Sequence, residues 1–536
     1  MTRQTQWVND LQKLSICRAL ISVSDKSGIV DFSRRLAQLG VEIISTGNTF
    51  ALLQEHNIAA IEVAEHTGFP EIMGGRVKTL HPKIHAGILA RPGIDNATLA
   101  SHDIAPVDMV VVNLYPFEQT VKDATCTVDD AVENVDIGGP AMIRAAAKNH
   151  ASTAVLTDPA QYERIACQLE SEGGLDSNSL FQLAVQAFER TAAYDAAIAN
   201  HFGLFADGPT AKKQAYPQRL SMQWVKATDL RYGENPHQSA AFYVDQDQSA
   251  QTGSVANARM VQGKPLSYNN VVDADTALEC VKQFVEPTCV IVKHANPCGV
   301  ASAENCLDAY SLAYMTDPTS AFGGIVAFNR PLDEVVTKTI LDRQFVEVII
   351  APAVTSASME LIKAKPNVRV LVCGDMPLTR NPFVDMRRIN GGLLVQDADT
   401  TVPCMDDVTV VSERVPQENE MKDLLFAWKV GIFVKSNAIV FCKNSQTVGV
   451  GAGQMSRVYS ARIAALKAAD EGLEIGGSVM ASDAFFPFRD SIDTAAAVGV
   501  TAVIQPGGSM RDEEVIRAAN ECGMAMVFAG TRHFRH

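Results

Sequence analysis

The sequence predicts an α/β protein of at least two domains, and three observations carry the prediction. Its 536 residues are too many for a single core of ordinary size. A composition of 47% hydrophobic and 20% charged residues is that of a folded globular chain. From about Arg18 onward, apolar runs of strand length alternate with runs of helical periodicity, and each strand is followed by a polar or glycine-containing turn. That rhythm belongs to a parallel sheet wrapped by helices.

Taken in order, ALISVSD (19–25) is the first strand and KSGIVDFSRRLAQLG (26–40) its helix; VEIISTG (41–47) and NTFALLQEHN (48–57) repeat the pair. VDMVVVNLYPF (107–117) is a further strand, and DIGGPAMIRAAAKNH (136–150) a glycine turn entering an alanine-rich helix before the short strand STAVLTD (152–158). SLFQLAVQAFERTAAYDAAIANHF (179–202) is a long helix that closes this half. GLFADGPTAKKQAYPQ (203–218) lacks periodicity and reads as a linker, so the main boundary is expected near residues 205–220. Beyond it the α/β alternation resumes, with one internal echo. Strand 290–292 leads to Lys293 and, six residues on, to Gly299-Val300; strand 438–441 leads to Lys443 and, six on, to Gly449-Val450. The echo points to a duplicated subdomain.

The formal net charge of −15 disfavours general nucleic-acid binding, because backbone affinity comes from clustered Lys and Arg, but it leaves anionic small molecules open. Eleven cysteines are dispersed without any CxxC, which suggests reduced thiols and argues against a disulfide framework or a zinc ribbon. The first twenty residues lack a signal-peptide core, and no stretch reaches the roughly 18 apolar residues of a membrane helix. The expected location is the cytoplasm, with neither membrane nor nucleic acid as partner.

Ser24-Asp25-Lys26 and Ser45-Thr46-Gly47-Asn48-Thr49 each stand where a strand ends and a helix begins. Such turns are helix caps or phosphate seats; two of them at neighbouring strand ends favour a ligand there. In GGRVKTLHPKIHAG (74–87), an extended Arg76-Val77-Lys78 would put both cations on one side, with Thr79 close by, either as a solvated edge or to hold an anion. DIGGPAMIRAAAK sets Arg144 and Lys148 four apart on one helical face, from which Lys148 could reach the same ligand as an acid or base. LRYGENPHQ (230–238) offers Arg231 and Tyr232; SAFGGIVAFN (320–329) a glycine turn; Lys435-Ser436-Asn437 a helix end; GVGAGQMSR glycines before Arg457; and SDAFFPFRD aromatics beside Arg489 and Asp490. GVGAGQ fails the dinucleotide fingerprint because its third glycine falls on Gln454.

VIVKHANPCGV (290–300) delivers Lys293 and His294 side by side into a turn. A zinc corner needs three or four ligands, which His294 and Cys298 do not find, so no metal is expected. Two readings stay open: a structural histidine, or a general base beside a cation that stabilises developing negative charge.

Together these motifs, in order from about residue 17 to the closing TRHF and including NLYPF and KSNAIV, resemble the bifunctional purine-biosynthesis family that joins AICAR formyltransferase to IMP cyclohydrolase. The resemblance implies a methylglyoxal-synthase-like parallel-sheet cyclohydrolase domain over residues 17–210 after an N-terminal extension of residues 1–16. It implies a transferase region over 211–536 made of two cytidine-deaminase-like subdomains. It also implies a homodimer, no tightly bound cofactor, and 10-formyltetrahydrofolate as cosubstrate for converting AICAR to FAICAR, which closes to IMP. By resemblance His294 is the base, Lys293 its electrostatic partner, and Lys148 the proton donor and acceptor of ring closure. The implied cyclohydrolase ligands are Ser24, Asp25, Lys26, Thr46, Gly47, Thr49, Arg76, Lys78, Thr79, Asn113, Asp136 and Ile137. Those of the transferase are Arg231, Tyr232, Gly323, Asn437, Arg457, Phe485 and Arg532, with Asp490 and Ser509 near the folate and Glu347 where the family carries an acid. Asn48 departs from the family's second glycine, so asparagine is expected to carry a left-handed phosphate turn there.

Overall fold

The computed structural model describes residues 13–245, 252–378, 383–401 and 404–536. Of the extension expected at 1–16, residues 1–12 lie outside the described residues. The chain divides into two compact units at Gln223 and Trp224.

In the first unit, β1 (Arg18–Val23), β2 (Glu42–Ser45), β3 (Ile61–Glu62), β4 (Met109–Asn113) and β5 (Ala154–Leu156) form a sheet of order β3-β2-β1-β4-β5. Every neighbouring pair is parallel. Helices cover both faces, so Leu20, Ile21, Val110 and Val111 are fully buried, which is why these strands read as unbroken apolar runs. The order reverses between β1 and β4, and the crevice beyond their carboxyl ends is where such sheets bind ligands.

In the second unit one half-sheet holds β8 (Arg259–Gln262), β9 (Thr288–Lys293), β10 (Asn296–Ser302), β11 (Gly324–Phe328), β12 (Val346–Ala351) and β13 (Arg369–Val372). The other holds β16 (Thr409–Val410), β17 (Ile439–Lys443), β18 (Gln446–Gly451), β19 (Val479–Ser482), β20 (Ala502–Gln505) and β21 (Ala525–Phe528). They join through β10 and β18 into one sheet of order β16-β21-β20-β19-β17-β18-β10-β9-β11-β12-β13-β8. Read outward from that junction, the halves repeat the same strand order and the same run of pairings: antiparallel twice, parallel twice, then antiparallel. The short Lys…Gly-Val echo is therefore one visible piece of a duplicated architecture.

Strand alternation divides the core of this unit. Val290 and Val292 face a cluster shared with Val440 and Cys442, under helices Tyr268–Val281 and Glu418–Gly431. Cys289 and Ile291 face a separate cluster on the opposite side, as do Ile439 and Phe441 in the other half. Two ribbons complete the unit, β6 (Trp224–Leu230) with β7 (Ala240–Asp245), and β14 (Val384–Ile389) with β15 (Gly392–Asp397). Among the described residues no helix is long and apolar enough to cross a membrane.

Candidate active sites in the two units

At the switch point of the first unit, Asn113 ends β4 and reaches across to the loop that follows β1. Its Oδ1 accepts the backbone N–H groups of Ser24 and of Asp25 (2.9 Å), and its Nδ2 donates to the Asp25 carbonyl at 2.9 Å. Lys26 folds back over the same strand end, donating to the Val23 carbonyl and to Thr49 Oγ1 at 2.9 Å. Partial burial lowers the pKa of its ammonium, which Asp25 opposes; the Ser27 hydroxyl and N–H hold Asp25 below the usual carboxylate range. Thr46 and Ser22 share a hydroxyl contact of 2.9 Å that closes the floor of the second turn.

Gly47 opens helix Gly47–Glu55 with φ 42°, and a Cβ there would lie 3.4 Å from Lys78 Nζ. The left-handed position expected at Asn48 thus belongs to Gly47. Asn48 sits inside the helix, where no second glycine is required.

Lys78 and Arg76 do not share a side as an extended segment would require. Residues Met73–Gly75 form a short 3-10 turn and Arg76 is helical (φ −65°, ψ −27°), so Arg76 swings out to pair with Glu133 while Lys78 turns inward to Glu71 at 3.1 Å. Thr79 abuts the start of helix Gly138–Lys148, 2.9 Å from where a Gly138 Cβ would stand. Asp136 caps that helix, accepting the Gly139 N–H at 2.9 Å, and burial raises its pKa against the backbone bonds that lower it. Ile137 stands exposed beside it. The cluster thus gathers Ser24, Asp25, Lys26, Thr46, Gly47, Thr49, Lys78, Thr79, Asn113, Asp136 and Ile137.

Lys148 is not gathered. It ends the same helix whose start meets Thr79, ten residues on, which is about 15 Å of helix. The next residue, Asn149, donates to the carbonyls of Ile88 (2.9 Å) and Ala90 (2.8 Å), beside Thr153 and the chain entering β4. Lys148 therefore lies toward the opposite edge of the sheet from the turns. Helical periodicity puts Arg144 and Lys148 on one face, and the structure sets Lys148 at the end of that helix away from the turns.

In the second unit β9 and β10 are joined by a two-residue turn, His294 (φ 53°) and Ala295 (φ 55°), both left-handed. Such a turn matches the twist of a hairpin but is costly for residues with a Cβ, so something must hold it. Asp273, on helix Tyr268–Val281, accepts the Ala295 N–H at 2.7 Å. Lys293 donates to the carbonyls of Phe322 (2.8 Å) and Gly323 (3.2 Å); Gly323 has φ 67° and lies so near the ammonium that a Cβ would meet it at 3.2 Å.

The other half-sheet supplies the surroundings of this turn. Asn296 Oδ1 accepts the Lys435 N–H at 2.9 Å, which ties the hairpin to the segment carrying Asn437. Asn437 donates through Nδ2 to the Gln454 carbonyl at 2.8 Å, and Arg457 follows on the next helix. Arg457 is partly buried, reaches Asp483 at 3.4 Å, and keeps a buried Nε–H without a partner. Burial lowers its pKa, with Asp483 opposing. Arg457 and Arg532 both lie over the Phe534 ring, at 5.8 and 4.3 Å. Phe485, Ser509 and Arg532 sit on the loops that leave the carboxyl ends of the adjacent parallel strands β19, β20 and β21, Asp490 opens the helix that follows the first of these loops, and the Phe486 N–H donates to Gln505 at the end of β20 at 2.9 Å. Register puts the His294 turn at the same edge, since Ala301 pairs with Gln446 and Ile325 with Val292.

Arg231, stacked on Tyr232 at 5.0 Å, sits in a loop whose Tyr232 carbonyl accepts the N–H of Tyr268 at the start of the helix that bears Asp273. Glu347 lies near the amino end of β12, paired with Arg369 at 2.6 Å. Sequence reasoning missed Asp273 and Asp483, and read Ser436, which donates to Asp483, only as part of a helix end. Asp273 was findable: the offset of 150 positions that relates Lys293 to Lys443 also relates it to Asp423. A cavity of about 880 Å³ opens beside Asn444 and Ser445 in the second hairpin, not beside His294. Open volume there carries less weight than the convergent side chains at the other edge.

In comparisons with known proteins, the AICARFT/IMPCHase bienzyme family model matches residues 146–467 and the MGS-like domain model matches residues 28–141. A solved structure titled "Crystal structure of ForH" is 36% identical, over 34% of this chain and 98% of that chain, with a TM-score of 0.31, too low to support a structural argument.

Proposed function

Because the chain belongs to the AICARFT/IMPCHase bienzyme family, an enzyme that transfers a formyl group to AICAR and cyclises the product to IMP in purine biosynthesis, we propose how its residues divide that work. Residues 17–210 carry the cyclohydrolase, and residues 211–536 the formyltransferase, as two cytidine-deaminase-like subdomains. The donor is 10-formyltetrahydrofolate.

The 5-amino group of AICAR is a poor nucleophile, because its lone pair is delocalised into the imidazole and carboxamide. It attacks the formyl carbon only as its proton leaves; His294 takes that proton and returns it to the folate nitrogen as the bond from that nitrogen to the formyl carbon breaks. Lys293 stabilises the negative charge that develops on the formyl oxygen. Arg457, with its unsatisfied buried donor, and Arg532 and Asn437 hold the nucleotide, joined by Arg231, Tyr232 and Gly323. Phe485, Asp490 and Ser509 take the folate side, with Glu347 supplying an acid. The single observation that supports this reading is the meeting of the Lys293-His294 turn and the Asn437–Arg457 segment through the Asn296–Lys435 bond at 2.9 Å.

Ring closure of FAICAR joins the carboxamide nitrogen to the formyl carbon and expels water, which within one bound molecule needs positioning and proton traffic. Ser24, Asp25, Lys26, Thr46, Gly47, Thr49, Thr79, Asn113 and Ile137 seat the nucleotide, with Arg76 at the margin. Asp25, Lys26, Lys78 and Asp136 are the ionisable groups already at this cluster; Lys148, the proton donor and acceptor that the resemblance implies, lies about 15 Å along its helix and would reach such a site from a second chain. With FAICAR supplied and folate omitted, Lys78→Ala is expected to slow IMP formation at least as much as Lys148→Ala in isolated chains. The reverse order would return ring-closure chemistry to Lys148.

A homodimer in the cytoplasm completes the proposal. The β14–β15 ribbon exposes Ile389, Leu393 and Leu394, and a two-stranded ribbon with an apolar surface is marginal alone in water, which suits burial against a second copy. Free cysteines, eleven in all, suit a reducing compartment. Light scattering that gave a monomer at micromolar concentration would contradict the dimer.

A further inference from the structure

We propose that Asp273 is a positioning residue of the formyl-transfer reaction. It fixes the left-handed turn that carries His294 and presents the fixed negative charge beside which the imidazole takes up its proton. The proposal rests on the reading of His294 as the base.

The duplication separates the two parts of this role. Asp423, the counterpart of Asp273, accepts the Asn444 N–H at 2.8 Å and the Ser445 N–H at 2.7 Å, so a helix-borne aspartate braces the left-handed turn in both halves. Bracing is thus a requirement of the hairpin and explains an aspartate at either position. What differs is the company. A lysine precedes both turns, but the turn side chains beside Asp423 are the neutral Asn444 and Ser445, whereas Asp273 interacts electrostatically with His294 as well as with the Ala295 and His294 N–H groups.

Burial is the largest influence on Asp273 and raises its pKa, with the Ala295 N–H and the neighbouring His294 opposing it. A base that becomes cationic as it works is stabilised by such a neighbour, and loses that stabilisation when the carboxylate becomes an amide. Other charged groups on the elements packed around it are Asp275 and Glu279 on the same helix, Arg535, whose guanidinium donates to Thr276 at 2.9 Å, Lys435, whose N–H reaches Asn296, and Arg231 and Glu234 in the loop before the helix.

The test compares Asp273→Asn with Asp423→Asn in the full chain, using AICAR and 10-formyltetrahydrofolate. Both variants disturb one turn and should lower Tm similarly. Asp273→Asn is expected to cut kcat for formyl transfer roughly 10- to 100-fold, with KM for AICAR within about threefold, and to move the acid limb of kcat against pH downward. Asp423→Asn is expected to leave the limb in place. An unmoved limb in Asp273→Asn, with a rate loss no larger than that of Asp423→Asn, would reduce Asp273 to a brace and overturn the proposal. If Asp273→Asn does not fold, Asp273→Glu keeps the charge while loosening the turn; a limb that shifts in that variant overturns the proposal equally. His294→Ala, run alongside, isolates the premise: full activity there would remove the base itself, whatever Asp273 does.

Discussion

The hairpins at Lys293–Asn296 and Lys443–Gln446 have the same backbone and different chemistry. Both turn through two successive left-handed residues, His294-Ala295 at φ 53° and 55° and Asn444-Ser445 at φ 54° and 56°. Each is braced by an aspartate, and the lysine before each turn caps main-chain carbonyls, at Phe322 and Gly323 in one case and at Gly476 (2.7 Å) in the other. The differences lie in what projects from this shared frame. Asn444 replaces the imidazole, and at the same offset Pro287, Glu304 and Leu307 stand where the active edge has Asn437, Gln454 and Arg457. The second edge therefore has leucine where the first places a guanidinium, and an acid where the first has an amide. Duplication supplied the scaffold twice, and side-chain replacement left one edge suited to the transfer.

The largest expected effect comes from making the first turn resemble the second. His294→Asn should lower kcat for formyl transfer by roughly 10²- to 10⁴-fold, the range for removing a general base, with AICAR affinity within about tenfold. Adding Asn444→His to that variant should restore nothing, because the second edge lacks the arginines; recovery of activity would show the two edges to be interchangeable. Next in size, Lys293→Met and Lys443→Met should each cost roughly 1 kcal/mol or less in chemical denaturation, since both ammonium groups are partly exposed. Only Lys293→Met should also lower kcat, and equal kinetic losses would remove Lys293 from the chemistry.

The smallest expected effect concerns how the two equivalent helices begin. Helix Tyr268–Val281 starts with a neutral capping box, Ser267 with Asn270, whereas helix Glu418–Gly431 starts with Gln417 and Glu420. Burial alone would raise the Glu420 pKa, but bonds from Arg414 (2.8 Å), Thr501 and the Gln417 N–H outweigh it and bring it to about 2. A carboxylate whose folded pKa lies below its unfolded value of about 4.5 gives stability that is full above that value and is lost as pH falls toward 2. Amide exchange should therefore show the Glu418–Gly431 helix loosening in that window before its counterpart, with the difference abolished in Glu420→Gln. Simultaneous loosening of both helices would contradict it.

The fold was legible where its signals are local. Unbroken apolar runs announced the buried parallel strands β1 and β4, and glycine turns before alanine-rich periodicity announced the Gly138–Lys148 helix. The echo announced the repeat because its Lys and Gly-Val are set by hairpin geometry in both halves. What stayed hidden depended on direction and distance. Nothing in GGRVK says that a 3-10 turn at Met73–Gly75 sends Arg76 and Lys78 apart, and helical periodicity places Lys148 on a face without saying which end of the sheet that helix reaches. Asp273 looked like one more acid on a helix until the turn it braces was known. The β14–β15 ribbon, exposed along most of its length, lacks the alternation of a half-buried strand and could not be read as one.

The most direct test of the central claim, that formyl transfer belongs to the His294 edge and ring closure to a separate site in the first unit, is a product-resolved assay of His294→Asn. Purified variant and wild type would each receive AICAR with 10-formyltetrahydrofolate, and separately FAICAR alone, with FAICAR and IMP quantified independently. The account predicts almost no FAICAR from the variant in the first reaction and IMP at the wild-type rate in the second. FAICAR formed near the wild-type rate, or ring closure lost along with transfer, would contradict it.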